Sequence, residues 1–140
     1  RTALRLSMGP ALLLGLAGLG QACQCGAVKA EMSGAPKFVA LCHCAACRKA
    51  TGAAFSTWIG FTDENIRWLT APPSFYESSK GVRRGFCAAC GTPLTYAGEK
   101  WPGETHFLIG AMAEPEAYTP TVEVFSGEAL AWSQHMEKAV

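Results

Sequence analysis

The seven cysteines of this chain fall into three tight groups: Cys23-x-Cys25, Cys42-x-Cys44-x-x-Cys47 and Cys87-x-x-Cys90. Thiols so placed can crosslink by oxidation or hold a soft metal ion. An odd count leaves one thiol over, and a disulfide needs Cβ positions that a C-x-C pair is awkward to provide. Zinc wants four soft ligands in a tetrahedron, and a C-x-C or C-x-x-C loop supplies two of them from one turn. Spacing and parity together favour zinc.

Two-ligand groups pair naturally with two-ligand groups. Cys23, Cys25, Cys87 and Cys90 then form a closed, structural site, with Gly91 allowing the backbone to fold back towards sulfur. Cys42, Cys44 and Cys47 remain as a second site with one position open, the arrangement that suits catalytic zinc. Two zinc ions per chain are expected. His43 sits between two of the trio's ligands and carries two readings. It either closes that site as a fourth ligand or serves as a substrate-side group and proton donor. Adjacent residues usually point apart, which favours the second.

Three thiolates already exceed the double charge of zinc, so such a site activates water poorly. It holds an added thiol well, because a coordinated thiol is deprotonated and arrives as a nucleophile at neutral pH. The chemistry expected from the trio is addition of a thiolate to an aldehyde carbon, completed by protonation of the alkoxide. Arg48 and Lys49 follow the trio and either meet substrate carboxylates or form a solvated helix face, the reading preferred here. Arg83 and Arg84 carry the same two readings. His106 and His135 show no partner signature and receive no role.

The elements that position these groups are short. β-rich runs occur at 28–32, 37–41, 55–61, 66–70, 74–78, 82–86, 93–97, 105–111 and 121–125, separated by turn signals such as Ala71-Pro72-Pro73. These predict an all-β domain of about nine strands. One short helix is predicted over 45–51, ended by Gly52 at its C-cap. Phe55, Ile59 and Phe61 share one strand face and read as core, while Trp58 faces the other way.

Apolar residues make up 49% of the 140-residue chain and charged ones 16%, enough to build one core and too apolar for disorder. The formal charge is +1 with no basic stripe, so nucleic acid is not an expected partner; small molecules are. Arg1 and Arg5 precede an apolar run from Ala11 to Leu19 that has the shape of a secretory signal but is too short to span a bilayer. Metal-type cysteines follow directly, and an oxidising compartment would put them at risk. The expectation is an apolar N-terminal extension over 1–20, a single zinc-binding domain over 21–140, no membrane partner and a cytoplasmic location.

Three stretches carry a resemblance. Cys23-Gln24-Cys25-Gly26-Ala27-Val28, the run from Cys42 through Cys47 to Gly52, and Arg84-Gly85-Phe86-Cys87-Ala88-Ala89-Cys90-Gly91 resemble the glutathione-dependent formaldehyde-activating enzymes, a family that includes centromere protein V-type relatives. Trp58, Tyr76-Glu77-Ser78-Ser79, Pro120 and Trp132 add to the match, which runs from Gly20 to about Trp132. The resemblance implies a β-tent fold of several small twisted sheets around zinc, with at most one or two short helices. It also implies the same division of cysteines, four structural and three catalytic. The implied activity is of the carbon–sulfur lyase type, joining glutathione or a similar thiol to formaldehyde or a related aldehyde as an S-(hydroxymethyl)glutathione synthase does. The alternatives are a zinc-stapled binding module without catalysis, or a related thiol-dependent reaction on another substrate.

Overall fold

The computed structural model describes residues 19–134. The apolar run before Leu19 and His135 lie outside the described residues. Ten strands follow in chain order: β1 (Leu19–Ala22), β2 (Lys29–Met32), β3 (Phe38–Cys42), β4 (Ser56–Thr62), β5 (Ile66–Trp68), β6 (Ser74–Ser79), β7 (Val82–Phe86), β8 (Pro93–Gly98), β9 (Glu104–Leu108) and β10 (Val122–Val124). The single α-helix among the described residues, α1 (Ala45–Thr51), stands where the sequence predicts it. It ends at Gly52, whose φ of 70° is the left-handed conformation that glycine adopts at least cost. The protein is all-β, with several short 3-10 turns added.

Among the described residues the strands form two sheets: a three-stranded one in the order β1-β2-β5, and a seven-stranded one in the order β10-β3-β4-β9-β8-β7-β6. All pairings are antiparallel except β10 with β3, which brings the C-terminal segment back alongside the strand that ends in Cys42. β4 is the strand on which the core divides. Ile59 and Phe61 point to one face and are fully buried with Met32 and Phe107, in a core that Ile109, Met112 and Tyr118 complete between the two sheets. Trp58 points to the opposite face and packs with Cys42 and Cys47, as the period-two alternation of a strand requires. A third cluster gathers Cys23, Val28, Cys87 and Leu94. Buried Gln21 ties the sheets together, its Nε2 donating to the carbonyls of Leu94 (3.2 Å) and Leu108 (3.1 Å).

The structure departs from the sequence reading in three places. The strand over 19–22 is additional, formed by residues that read as the end of the apolar run. The run expected over 105–111 stops at Leu108 because the chain turns into a 3-10 segment, Ile109–Ala111, closed by Met112 N–H to Ile109 O at 2.9 Å. That turn brings Met112 into register with Gln21. Phe55 is not core: it lies one residue before β4 and is 39% exposed.

Candidate metal centres

β1 runs into the Cys23–Cys25 loop, and β7 into the loop from Cys87 to Cys90. The first loop is shaped around sulfur, with Val28 N–H donating to Cys23 Sγ at 3.2 Å. The second closes with Gly91 N–H to Cys87 O at 2.7 Å, and Gly91 takes a φ of 77°. The four Sγ atoms lie within 4.8 Å of one another. Cys23 to Cys25 is 3.6 Å and Cys25 to Cys87 is 3.7 Å. Zinc–sulfur bonds of about 2.3 Å in a tetrahedron require sulfur–sulfur separations of about 3.8 Å, so this donor set fits zinc. Gln24 N–H donates to Thr92 Oγ1 at 3.1 Å, linking the loops. Thr92 also stands 3.0 Å from Cys90 Sγ, and its hydroxyl and N–H hold that thiol down to about 5.

The second cluster is built differently. β3 delivers Cys42, and α1 begins directly afterwards, with Cys44 as its N-cap: the thiol accepts Cys47 N–H at 3.2 Å. The helix thus carries Cys47 back over the other two, and the three Sγ atoms lie within 4.8 Å of one another. No fourth His, Cys, Asp or Glu ligand atom among the described residues shares that cluster. This set too has the soft donors and close approach that zinc requires.

Arg84 is the group beside the trio that the sequence left undecided. It sits on β7, buried, with Nε donating to Ser78 Oγ (3.1 Å), Nη2 directed at Cys47 Sγ (3.8 Å), and the guanidinium over the Tyr96 ring at 5.3 Å. Cys47 is held down to about 5, first by the Cys42 thiol and then by Cys44 and Arg84, against the opposing effect of burial. The Cys42 thiol moves the other way: its contact with Cys47, together with burial, pushes it above the ordinary thiol range. The twin arginine, Arg83, faces solvent and lies over the Phe75 ring instead. Only the alternation along β7 separates them, and which face met the trio was not readable without the fold.

His43 stays out of the cysteine cluster. Its imidazole is buried, with Nε2 paired to the Glu123 carboxylate of β10 and Nδ1 buried without a hydrogen-bond partner. Its backbone N–H donates to Val124 O at 3.1 Å. The solvated-face reading fails for Arg48, which is half-buried: its Nη1 donates to His43 O (2.7 Å) and Glu128 O (2.6 Å). Lys49 is exposed, as that reading expects. The C-terminal segment is therefore strapped to the trio's loop through residues that no local motif marks. His106 also acquires partners, stacking on Tyr96 and pairing with buried Glu104 at 2.9 Å, and it belongs to neither cysteine cluster.

Comparison with known proteins gives three findings. The family model described as glutathione-dependent formaldehyde-activating enzyme matches residues 19–128. A crystal structure of a Rhodobacter sphaeroides protein, a structural-genomics target, shares the fold with a TM-score of 0.59 at 18% identity; the match covers 75% of this chain and 99% of that one. No curated protein matches the sequence.

Proposed function

The chain belongs to the glutathione-dependent formaldehyde-activating enzyme family, and from that premise we propose that it is a zinc-dependent enzyme of the carbon–sulfur lyase type. It joins a glutathione-like thiol to formaldehyde or a related aldehyde. Cys23, Cys25, Cys87 and Cys90 would hold a structural zinc ion, and Cys42, Cys44 and Cys47 a catalytic one. When bound at the trio, zinc would supply a thiol held as thiolate at neutral pH. The observation that carries this reading is the three-thiol cluster with a buried arginine against it.

A buried guanidinium requires a compensating negative charge. Three thiolates carry one more negative charge than a divalent ion neutralises, and Arg84 balances the remainder. The guanidinium is then also placed to steady developing negative charge on oxygen. In the reaction the thiolate sulfur adds to the carbonyl carbon, forming the C–S bond. The carbonyl π pair moves to oxygen, and the alkoxide takes a proton to give the hemithioacetal. Tyr96 and Trp58 wall the trio and limit water. His43, fixed by Glu123 and the β10 backbone, serves as a positioning residue that holds the loop between Cys42 and Cys44.

Protein carrying two zinc ions should accelerate exchange between glutathione, formaldehyde and their adduct, measured by exchange NMR. Because the adduct also forms unaided, a rate no faster than buffer refutes the activity. One zinc ion in fully loaded protein refutes the assignment of the trio.

A further inference from the structure

Between the two cysteine clusters lies a groove of about 410 Å³, within the range of small-molecule sites. Its walls include Phe55, Ala53, Leu108, Pro93 and Ala111, with hydroxyls from Thr51, Ser56, Thr57 and Thr92 at intervals, and no Asp, Glu, Lys, Arg or His takes part. None of the trio's cysteines is a wall of the groove, but three of its residues neighbour the loop that carries them. Thr51 Oγ1 donates to Cys47 O at 2.8 Å, the Phe55 ring lies 6.0 Å from that of His43, and Ser56 is the cross-strand partner of Cys42.

Charge decides what such a groove can accept. Glutathione carries two carboxylates and an ammonium, and each would lose hydration here without an ionic partner. The cations near the trio, Arg84 and Arg48, are not among the groove's walls. The groove instead suits an uncharged, mainly apolar group, whose transfer from water is favourable and whose occasional polar atom can meet a threonine or serine hydroxyl. Formaldehyde has no substituent to place there.

We infer that the groove is a subsite for the substituent of an aromatic or medium-chain aliphatic aldehyde, its carbonyl carbon held at the cysteine trio. This rests on the thiol–aldehyde reading and names its second substrate. The chemistry is unchanged: the thiolate sulfur bonds to the carbonyl carbon, the π pair becomes an alkoxide, and one proton is taken up, with no oxidant or reductant. Larger aldehydes gain binding energy from a part of the molecule that does not react.

Gly110 provides the test, since it lines the groove and a Cβ added there meets no heavy atom within 4 Å. Zinc-loaded wild-type, Gly110→Leu and Ala53→Phe proteins are compared by exchange NMR with glutathione plus formaldehyde, benzaldehyde or hexanal. Saturation transfer with benzyl alcohol, which cannot react, reads binding separately. The expected result is acceleration of the larger aldehydes by wild type and a loss of about tenfold or more in both variants, with formaldehyde rates retained and the benzyl alcohol signal diminished. Formaldehyde turnover without acceleration of the larger aldehydes, or equal losses for all three, overturns the inference. Benzyl alcohol bound in the groove with no aldehyde accelerated keeps a neutral-ligand site but overturns the thiol–aldehyde reading, and with it the assignment of the aldehyde.

Discussion

The two cysteine clusters use the same ligand in opposite ways. The four-cysteine set draws its halves from distant parts of the chain: Cys25 and Cys87 are 62 residues apart yet their sulfurs are 3.7 Å apart. The trio lies within six consecutive residues, Cys42 to Cys47, and closes no loop. Two of the four cysteines are exposed: Cys25, beside the sulfurs of Cys23 and Cys87, and Cys90, beside the Thr92 hydroxyl. The trio is mostly buried, against an arginine, a tyrosine and a tryptophan. A long-range crosslink removes conformational freedom from the unfolded chain, whereas a local one removes little. Under the proposed function the first cluster would stabilise the fold, and the second would do chemistry that the fold tolerates losing.

The largest effect should come from breaking the long-range set. Structural zinc sites in small peptides bind with about 10–16 kcal/mol, comparable to a whole domain's stability of about 5–15 kcal/mol. Cys87→Ser is expected to abolish the cooperative thermal transition seen by circular dichroism. A transition displaced by only a few degrees would place the fold's main support elsewhere.

The trio should respond in the reverse manner. Cys44→Ser keeps an oxygen able to cap α1 while removing a soft ligand. Metal content should fall from two ions to one and exchange catalysis to the buffer rate, with the melting temperature lowered by about 2–8 °C. Cys44→Ala should lose about 1 kcal/mol more through the missing cap. Loss of both metals together from Cys44→Ser would show that the clusters are not independent.

Arg84 sharpens the contrast, because of the two clusters it meets the trio while lying on the strand that leads to Cys87. Arg84→Met should lower the exchange rate about 100-fold, as the loss of one donor to developing oxyanion charge does elsewhere. Arg84→Lys should restore part of it, and both variants should keep the four-cysteine metal. A rate unchanged in Arg84→Met would reduce the arginine to packing.

The smallest effect concerns a region outside both clusters. Burial acts to raise the Glu104 carboxyl, but Lys37 and His106 outweigh it and hold the group below its ordinary 4.5. Burial likewise lowers His106 below 6.5, only partly opposed by Glu104. In both cases the unfolded chain binds the proton more tightly. The stabilisation is therefore present at neutral pH and is lost as pH falls, through His106 below about 6.5 and through Glu104 below about 4.5. Melting temperature against pH should decline on the acid side, and Glu104→Gln should flatten the lower part of that decline without altering metal content. An unaltered slope in that variant would exclude the pair as its source.

Much of this was legible in the chain itself. The cysteine spacing divides the ligands without reference to a fold, because two-residue loops present two thiols wherever they occur. Short-range periodicity locates most strands and α1 to within a residue or two, since alternation and a C-cap glycine are local signals. What tertiary structure decided are contacts between residues far apart in sequence. Arg84 rather than Arg83 faces the trio because of strand register, a one-residue matter that exchanges the two faces. Glu123 reaches His43 only because β10 pairs in parallel with β3. Phe55 leaves the core because β4 begins one residue later than the apolar pattern suggests, which puts its ring in the groove wall. Sequence determined which atoms can hold metal; register and strand order decided which charges and surfaces stand beside them.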